Sequence, residues 1–296
     1  MVIDHTLYPF ENHYFSVGGL RYHYVDEGAA GGEVVLMVHG NPTWSFYYRD
    51  LIRDLRPDFR VIAPDHIGCG FSEKPAATRY PFTLERRVAD LEALVAHLDL
   101  DKITLVVHDW GGMIGMAFAA RHPEKIARLV LSNTAAFHLP RTKKFPPALR
   151  FCRDFRLATP LVLGLAGFNR AAARVCSKKP LPGPVRQGYM APYDNWHNRL
   201  AVLQFVRDIP LTPEDPSFGL VTRTMESLPR FRGIPALICW GAKDFVFDDH
   251  FLKEWQQHLP EAEVHRFADA GHYVLEDAGD EIRPLVRDFI HRHPLH

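Results

Sequence analysis

The sequence predicts an α/β protein in which a mainly parallel sheet is covered by helices on both faces and one sheet connection is expanded into a helical insertion. Three observations predict it. Short apolar runs alternate with helical patterns up to about Thr134, as expected for successive βαβ units. Segments rich in proline, arginine and aromatics then replace that alternation as far as Pro235. Beyond Pro235 the alternation resumes.

In chain order, HYFSV, LRYHYVD and VVLMVHG are strand-like runs separated by glycine-bearing turns. A helical pattern follows from about Ser45 to Leu55, then the strand RVIAPDH, a helix near Leu84 to Leu98 and the strand ITLVVHD. The next helix is expected from Trp110 to Arg121 and the next strand in ARLVLSN. HLPRTKKFPPALRFCRDFR, SKKPLPGP and APYDNWHNRL lack a buried-strand signal, so residues 136–221 read as a helical cap. Residues 1–135 and 222–296 then form one interrupted core domain. PALICWGAKD and AEVHRFADAGH return to strand patterns, and a final helix is expected near Glu281 to His291. The GCG of HIGCGFSE lacks the third glycine of a dinucleotide fingerprint.

The 296 residues are 47% hydrophobic and carry 35 basic and 35 acidic side chains, which supports a folded core and gives no global field for nucleic acid. Four dispersed cysteines show no disulfide or Cys-x-x-Cys spacing and read as reduced. No apolar run approaches the ~18 residues of a transmembrane span, and the first residues lack the form of a signal peptide. The expectation is a cytoplasmic protein acting on a small apolar molecule. Seventeen histidines show no H-E-x-x-H or comparable ligand spacing, so neither a metal nor a cofactor is expected. The basic and partly aromatic run RTKKFPPALRFCRDFR reads first as a solvated helix face, and second as a surface for a membrane or a multi-enzyme assembly. Homo-oligomerisation is compatible with the sequence.

Reactive groups in open parallel sheets gather at the carboxyl ends of strands. VHDWGG, at one such end, has the strand-turn-helix form of a nucleophile elbow with aspartate at the exposed position, and Gly111 or Gly112 would let the helix pack closely behind it. Asp109 is ionised at neutral pH and needs no base to attack a carbon bearing a leaving group. The resulting ester calls for a histidine to activate water, which His272 in DAGHYVLED supplies, and for an acid to orient it, which Asp244 in WGAKDFVF supplies. Asp248 and Asp249 lie near enough in sequence to be alternatives. The backbone N–H groups of Asn41 and Trp110 would form an oxyanion hole, and their side chains offer neutral donors to a departing anion. His39 and His108 read as structural.

HGNPTW, DHIGCGFSEKP, VHDWGGMIG, WGAKDFVF and DAGHYVLED resemble α/β-hydrolases of the haloalkane dehalogenase type over nearly the whole chain. That resemblance implies an α/β-hydrolase fold, Asp109 as nucleophile, His272 as base, Asp244 as its acid partner, and Asn41 with Trp110 as the halide-holding pair. A family branch carries its acid after the strand that follows the elbow helix, but here Asn133 stands in LVLSNTAAF and cannot serve. NPTWSFYYR, SNTAAF, APYDNW and FVRDIPL are closer to the third dehalogenase subgroup, which overlaps the β-lactone decarboxylases of bacterial olefin biosynthesis. The first expectation is therefore hydrolysis of an apolar haloalkane through an alkyl-aspartate ester. The alternative is conversion of a long-chain β-lactone to an alkene and carbon dioxide, with Phe151, Phe155, Phe168, Tyr189, Trp196 and Phe205 as candidate tunnel walls. Epoxide hydrolysis ranks below both, since it generally needs paired cap tyrosines and only Tyr189 and Tyr193 are available.

Overall fold

The computed structural model describes residues 3–295. Its strands are β1 (His13–Val17), β2 (Leu20–Glu27), β3 (Val34–Val38), β4 (Arg60–Asp65), β5 (Ile103–Asp109), β6 (Ile126–Thr134), β7 (Ala236–Gly241) and β8 (Glu263–Phe267). They form one sheet in the order β1-β2-β4-β3-β5-β6-β7-β8. β2 runs antiparallel to its neighbours β1 and β4, and every later pairing is parallel. All seven residues of β5 are buried, as a central strand covered on both faces requires, whereas the edge strand β1 alternates between inside and outside.

Helices α1 (Arg49–Leu55), α2 (Leu84–His97), α3 (Trp110–Arg121), α9 (Asp249–His258) and α10 (Val274–Arg292) connect or follow these strands. Along β3, Leu36 and Val38 face the layer containing α2, α3 and α9, while Val35 and Met37 face the layer containing α1 and α10. The period of two in the strand thus feeds two separate apolar layers. Thr83 caps α2 by accepting a hydrogen bond from the Arg86 N–H at 3.3 Å.

Between β6 and β7 lie α4 (Pro147–Asp154), α5 (Gly167–Val175), α6 (Gly183–Met190), α7 (Leu200–Arg207) and α8 (Phe218–Ser227), with no strand among the described residues. Position 222 lies inside α8.

Three local expectations change. The first turn of the segment expected to be helical from Ser45 is a tight 3-10 turn, Ser45–Tyr48, before α1 begins. Helix α9 is not among the expected elements. Helix α10 begins at Val274 rather than near Glu281, because the chain turns helical just past His272 and kinks at Ala278, where φ is −128° and ψ is 20°. Gly279 and Pro284 beyond the kink interrupt the sequence pattern without ending the helix.

Candidate active site

β5 delivers Asp109 to the carboxyl edge of the sheet, and the chain turns directly into α3. Asp109 holds φ of 53° and ψ of −127°, a conformation unfavourable for a non-glycine residue and maintained by its surroundings. Its backbone carbonyl accepts a hydrogen bond from the Thr134 hydroxyl at 2.5 Å. The turn brings α3 so near β3 that a Cβ on Gly111 would lie 1.9 Å from the Val38 carbonyl oxygen. Glycine is therefore required there by close approach.

The five residues singled out from the sequence converge. His272 Nδ1 stands 2.8 Å from Asp244 Oδ2, and His272 Nε2 stands 3.4 Å from Asp109 Oδ2. The backbone N–H of Asn41 donates to Asp109 Oδ1 at 2.6 Å. Asn41 and Trp110 line the same cavity as Asp109 and His272. All five side chains are buried.

Asp248 and Asp249 do not compete for the histidine. Asp248 caps α9 and pairs with Lys143 at 2.6 Å, and Asp249 makes a two-pronged pair with Arg266. Asp244 is fixed instead by the Val246 N–H at 2.7 Å and by the Asn133 amide at 3.1 Å. Asn133 also donates to the Gly241 and Phe247 carbonyls and accepts the Gly241 N–H, so it ties the end of β6 to the loop that carries Asp244. From the sequence, Asn133 stands out only as unable to be the acid. Its position just after LVLS, beside the following strand end, was the available signal for a positioning role.

Burial works against a charge on Asp109, but the hydrogen bond and charge of His272 outweigh it and hold the carboxyl below its ordinary range. Burial also opposes protonation of His272, yet the Asp244 charge and the hydrogen bonds to Asp109 and Asp244 carry the imidazole up to about 10. His108 moves the other way, to about 3, through burial and the neighbouring His272 charge. Its Nε2 lies 2.8 Å from the His272 carbonyl oxygen. Neutral His108 can therefore donate there, which makes it a support for the His272 backbone. His39 is likewise structural: its Nε2 accepts the His66 N–H at 3.1 Å, and its Nδ1 lies 2.7 Å from the Gly40 carbonyl.

The cavity over Asp109 has a volume of about 360 Å³. Met113, Phe137, Leu149, Val206, Phe247 and Phe251 are among its mostly apolar walls. Of the six aromatics expected as walls, Phe151 and Phe168 line it, while the other four do not. Phe155 and Trp196 turn to the surface, Tyr189 is bonded to Glu276, and Phe205 packs between the Trp110 ring and the Arg87 guanidinium. Tyr193 donates to the Thr43 carbonyl at 3.1 Å. Neither tyrosine faces the cavity as a donor to an opening epoxide.

Residues 33–279 match the family model described as the alpha/beta hydrolase fold. The chain is 53% identical over 287 residues to a cis-3-alkyl-4-alkyloxetan-2-one decarboxylase of Shewanella oneidensis, covering 96% of this chain and 90% of that protein. It is 45% identical to the protein of the same name from Xanthomonas campestris pv. campestris, covering 94% of each. A haloalkane dehalogenase of Mycolicibacterium paratuberculosis is 34% identical, with 94% of this chain and 92% of that one covered. The crystal structure of a haloalkane dehalogenase from Agrobacterium tumefaciens C58 superposes with a TM-score of 0.86 at 24% identity, covering 96% and 97% of the two chains.

Proposed function

The chain belongs to the α/β-hydrolase fold family, in the branch that holds both haloalkane dehalogenases and oxetan-2-one decarboxylases, and from that premise we propose that it decarboxylates cis-3,4-dialkyl β-lactones to alkenes. From the sequence alone, halide displacement ranks first. Identities of 53% and 45% to decarboxylases over nearly whole chains, against 34% to a dehalogenase, reverse that order and are the observation that carries the proposal.

The site supports a two-step path. Asp109 Oδ1 is held by the Asn41 N–H, leaving Oδ2 to attack the ring carbon that bears the ring oxygen. A bond forms from Oδ2 to that carbon, the carbon–oxygen bond of the ring breaks, and the freed carboxylate remains on the neighbouring carbon. We assign that carboxylate to the side-chain N–H groups of Trp110 and of Asn41, whose amide also donates to the Val202 carbonyl at 3.2 Å. In the second step the bond to the carboxylate breaks and its electron pair forms the carbon–carbon double bond. The ester bond to Asp109 breaks in concert, returning its pair to the aspartate, and carbon dioxide leaves. No water and no net proton are consumed. His272, carried up to about 10, is imidazolium at neutral pH and stabilises the aspartate as it departs. The apolar cavity suits the two alkyl chains, and residues 136–221 serve as the cap that supplies much of its wall.

Dehalogenation is the second reading, favoured by the Asn41 and Trp110 donors beside the same nucleophile. A cytoplasmic location is part of our proposal, in keeping with four free thiols. The test offers a synthetic cis-3,4-dialkyl β-lactone and a 1-bromoalkane side by side. Alkene by gas chromatography from the lactone, lost in Asp109→Ala, supports the proposal. Bromide release without any alkene overturns it in favour of dehalogenation.

A further inference from the structure

The cavity mouth is unlike the rest of the surface in two respects. Residues 136–190 contain eleven lysines and arginines against a single acidic residue, Asp154, in a chain whose charges balance overall at 35 of each sign. Arg141, Lys144, Arg156, Arg170, Arg174 and Arg186 have no acidic partner at ion-pair distance among the described residues, while Asp154 is already engaged by Arg150 and Arg153. The same segment also holds most of the large apolar side chains that the fold leaves exposed. Leu157 is 78% and Leu165 63% exposed, and Phe151, Leu161 and Val175 are exposed at the cavity itself.

Helix α5 joins the two features. Its outer stripe places Arg170 beside Ala171 and Arg174 beside Val175, all four exposed. Ala171 and Val175 line the cavity that leads to Asp109. Arg170 and Arg174, with Arg186 and Gln187 of α6, line a second depression of about 400 Å³ on the other flank. An apolar mouth and a cationic depression therefore lie one helix width apart, about 10 Å, on one exposed face.

We propose that this face docks on an anionic lipid bilayer, with the Arg170, Arg174 and Arg186 depression receiving headgroup phosphates and Leu157 and Leu165 entering the acyl boundary. The charge complementarity decides the occupant. An apolar patch alone fits a protein partner, but six arginines and lysines in the same segment, without an acidic partner among the described residues, fit a surface of repeating phosphates. Arginine suits phosphate because its guanidinium presents paired donors. A bilayer is also where a molecule with two alkyl chains resides, and docking would set the cavity mouth against that reservoir. The docking itself does not depend on which reaction Asp109 performs.

Sedimentation of the full chain with vesicles tests this. We expect binding to phosphatidylcholine vesicles containing 30% phosphatidylglycerol, weakened by added salt, and little binding to phosphatidylcholine alone. Each arginine near an anionic surface contributes about fivefold, so Arg170→Glu with Arg174→Glu lowers the partition coefficient at least about tenfold. Leu157→Ser with Leu165→Ser lowers it by a similar factor while leaving salt sensitivity in place. Both pairs are exposed, and circular dichroism checks that the fold is kept. No binding to anionic vesicles at low salt, equal binding to neutral ones, or binding unchanged in both double variants overturns the proposal. Retention on heparin without any vesicle binding also overturns it and points to an acidic protein partner.

Discussion

Replacing Asp244 with asparagine isolates the charge that sets the protonation of His272. The pair is buried, with Nδ1 and Oδ2 separated by 2.8 Å. At that distance, with an effective dielectric constant of about 20, a unit pair is worth about 6 kcal/mol. A rise from 6.5 to about 10 corresponds to about 5 kcal/mol. Burial opposes the rise most strongly; the Asp244 charge is the largest effect raising the imidazole, and the hydrogen bonds to Asp109 and Asp244 with the Asp109 charge supply the rest. Alkene formation by the native protein should be level through neutral pH and fall as pH approaches 10. In Asp244→Asn the falling limb should move to near or below neutrality. The sign for stability runs the same way: a raised histidine stabilises the fold fully below its unfolded value of about 6.5, and the contribution disappears as pH rises through 10. Asp244→Asn should lose that stability below pH 6.5 and match the native protein more closely above pH 10. Single-turnover alkene assays across pH, paired with nitrogen NMR of the His272 ring, measure both effects. An alkaline limb that stays near 10 in the variant would refute the reasoning, as would a native imidazole that is neutral at pH 8.

Three further perturbations separate the roles of neighbouring groups. His272→Gln should leave Asp109 able to open the lactone but slow its expulsion, so intact-protein mass spectrometry should find the mass of the whole lactone added to the chain; no adduct under any condition argues against an ester intermediate. Gly40→Ala would put a Cβ 2.2 Å from Asp109 Oδ1, so turnover should fall by at least about a hundredfold, the scale of losing an oxyanion contact, while lactone binding persists in a displacement titration. Asn133→Ala removes the amide that ties Asp244 to the ends of β6 and β7; we expect kcat to fall and KM to hold, with an alkaline limb displaced to lower pH, whereas a uniform loss of folded protein would mark a purely structural role.

The fold was legible where local pattern and tertiary environment agree. VVLMV and ITLVVHD are continuous apolar runs because parallel strands are buried on both faces, and they sit where expected. Agreement failed in the C-terminal third. The stretch DDHFLKEWQQH directs Phe251, Leu252 and Trp255 inward at helical spacing, but its two leading aspartates resemble a loop and read as alternative acids. One of them turns out to cap the helix. The candidate site positions were readable because each stands at a strand end within a short motif. The cavity wall was not, since its residues come from several helices whose mutual packing has no local signature. Tyr189 shows the difference: aromatic and in the right segment, it is drawn away by Glu276.

Under the proposed mechanism one set of side chains serves two chemistries because the nucleophilic step is common to both, and the outcome is decided by what happens to the ester. Hydrolysis needs a neutral imidazole to deprotonate water, and His272 can become one once esterification removes the Asp109 charge that helps hold its proton. Fragmentation of a β-carboxylate ester needs no external reactant: the electron pair that expels Asp109 is already two bonds away. A unimolecular step of that kind competes well against water in a mostly apolar cavity, where a second reactant must first be admitted and oriented. The ester of a simple haloalkane has no such carboxylate and can only wait for water. On the proposed path, the substrate's own β-carboxyl group, rather than a different catalytic residue, would turn the elbow aspartate from a hydrolytic nucleophile into a decarboxylating one.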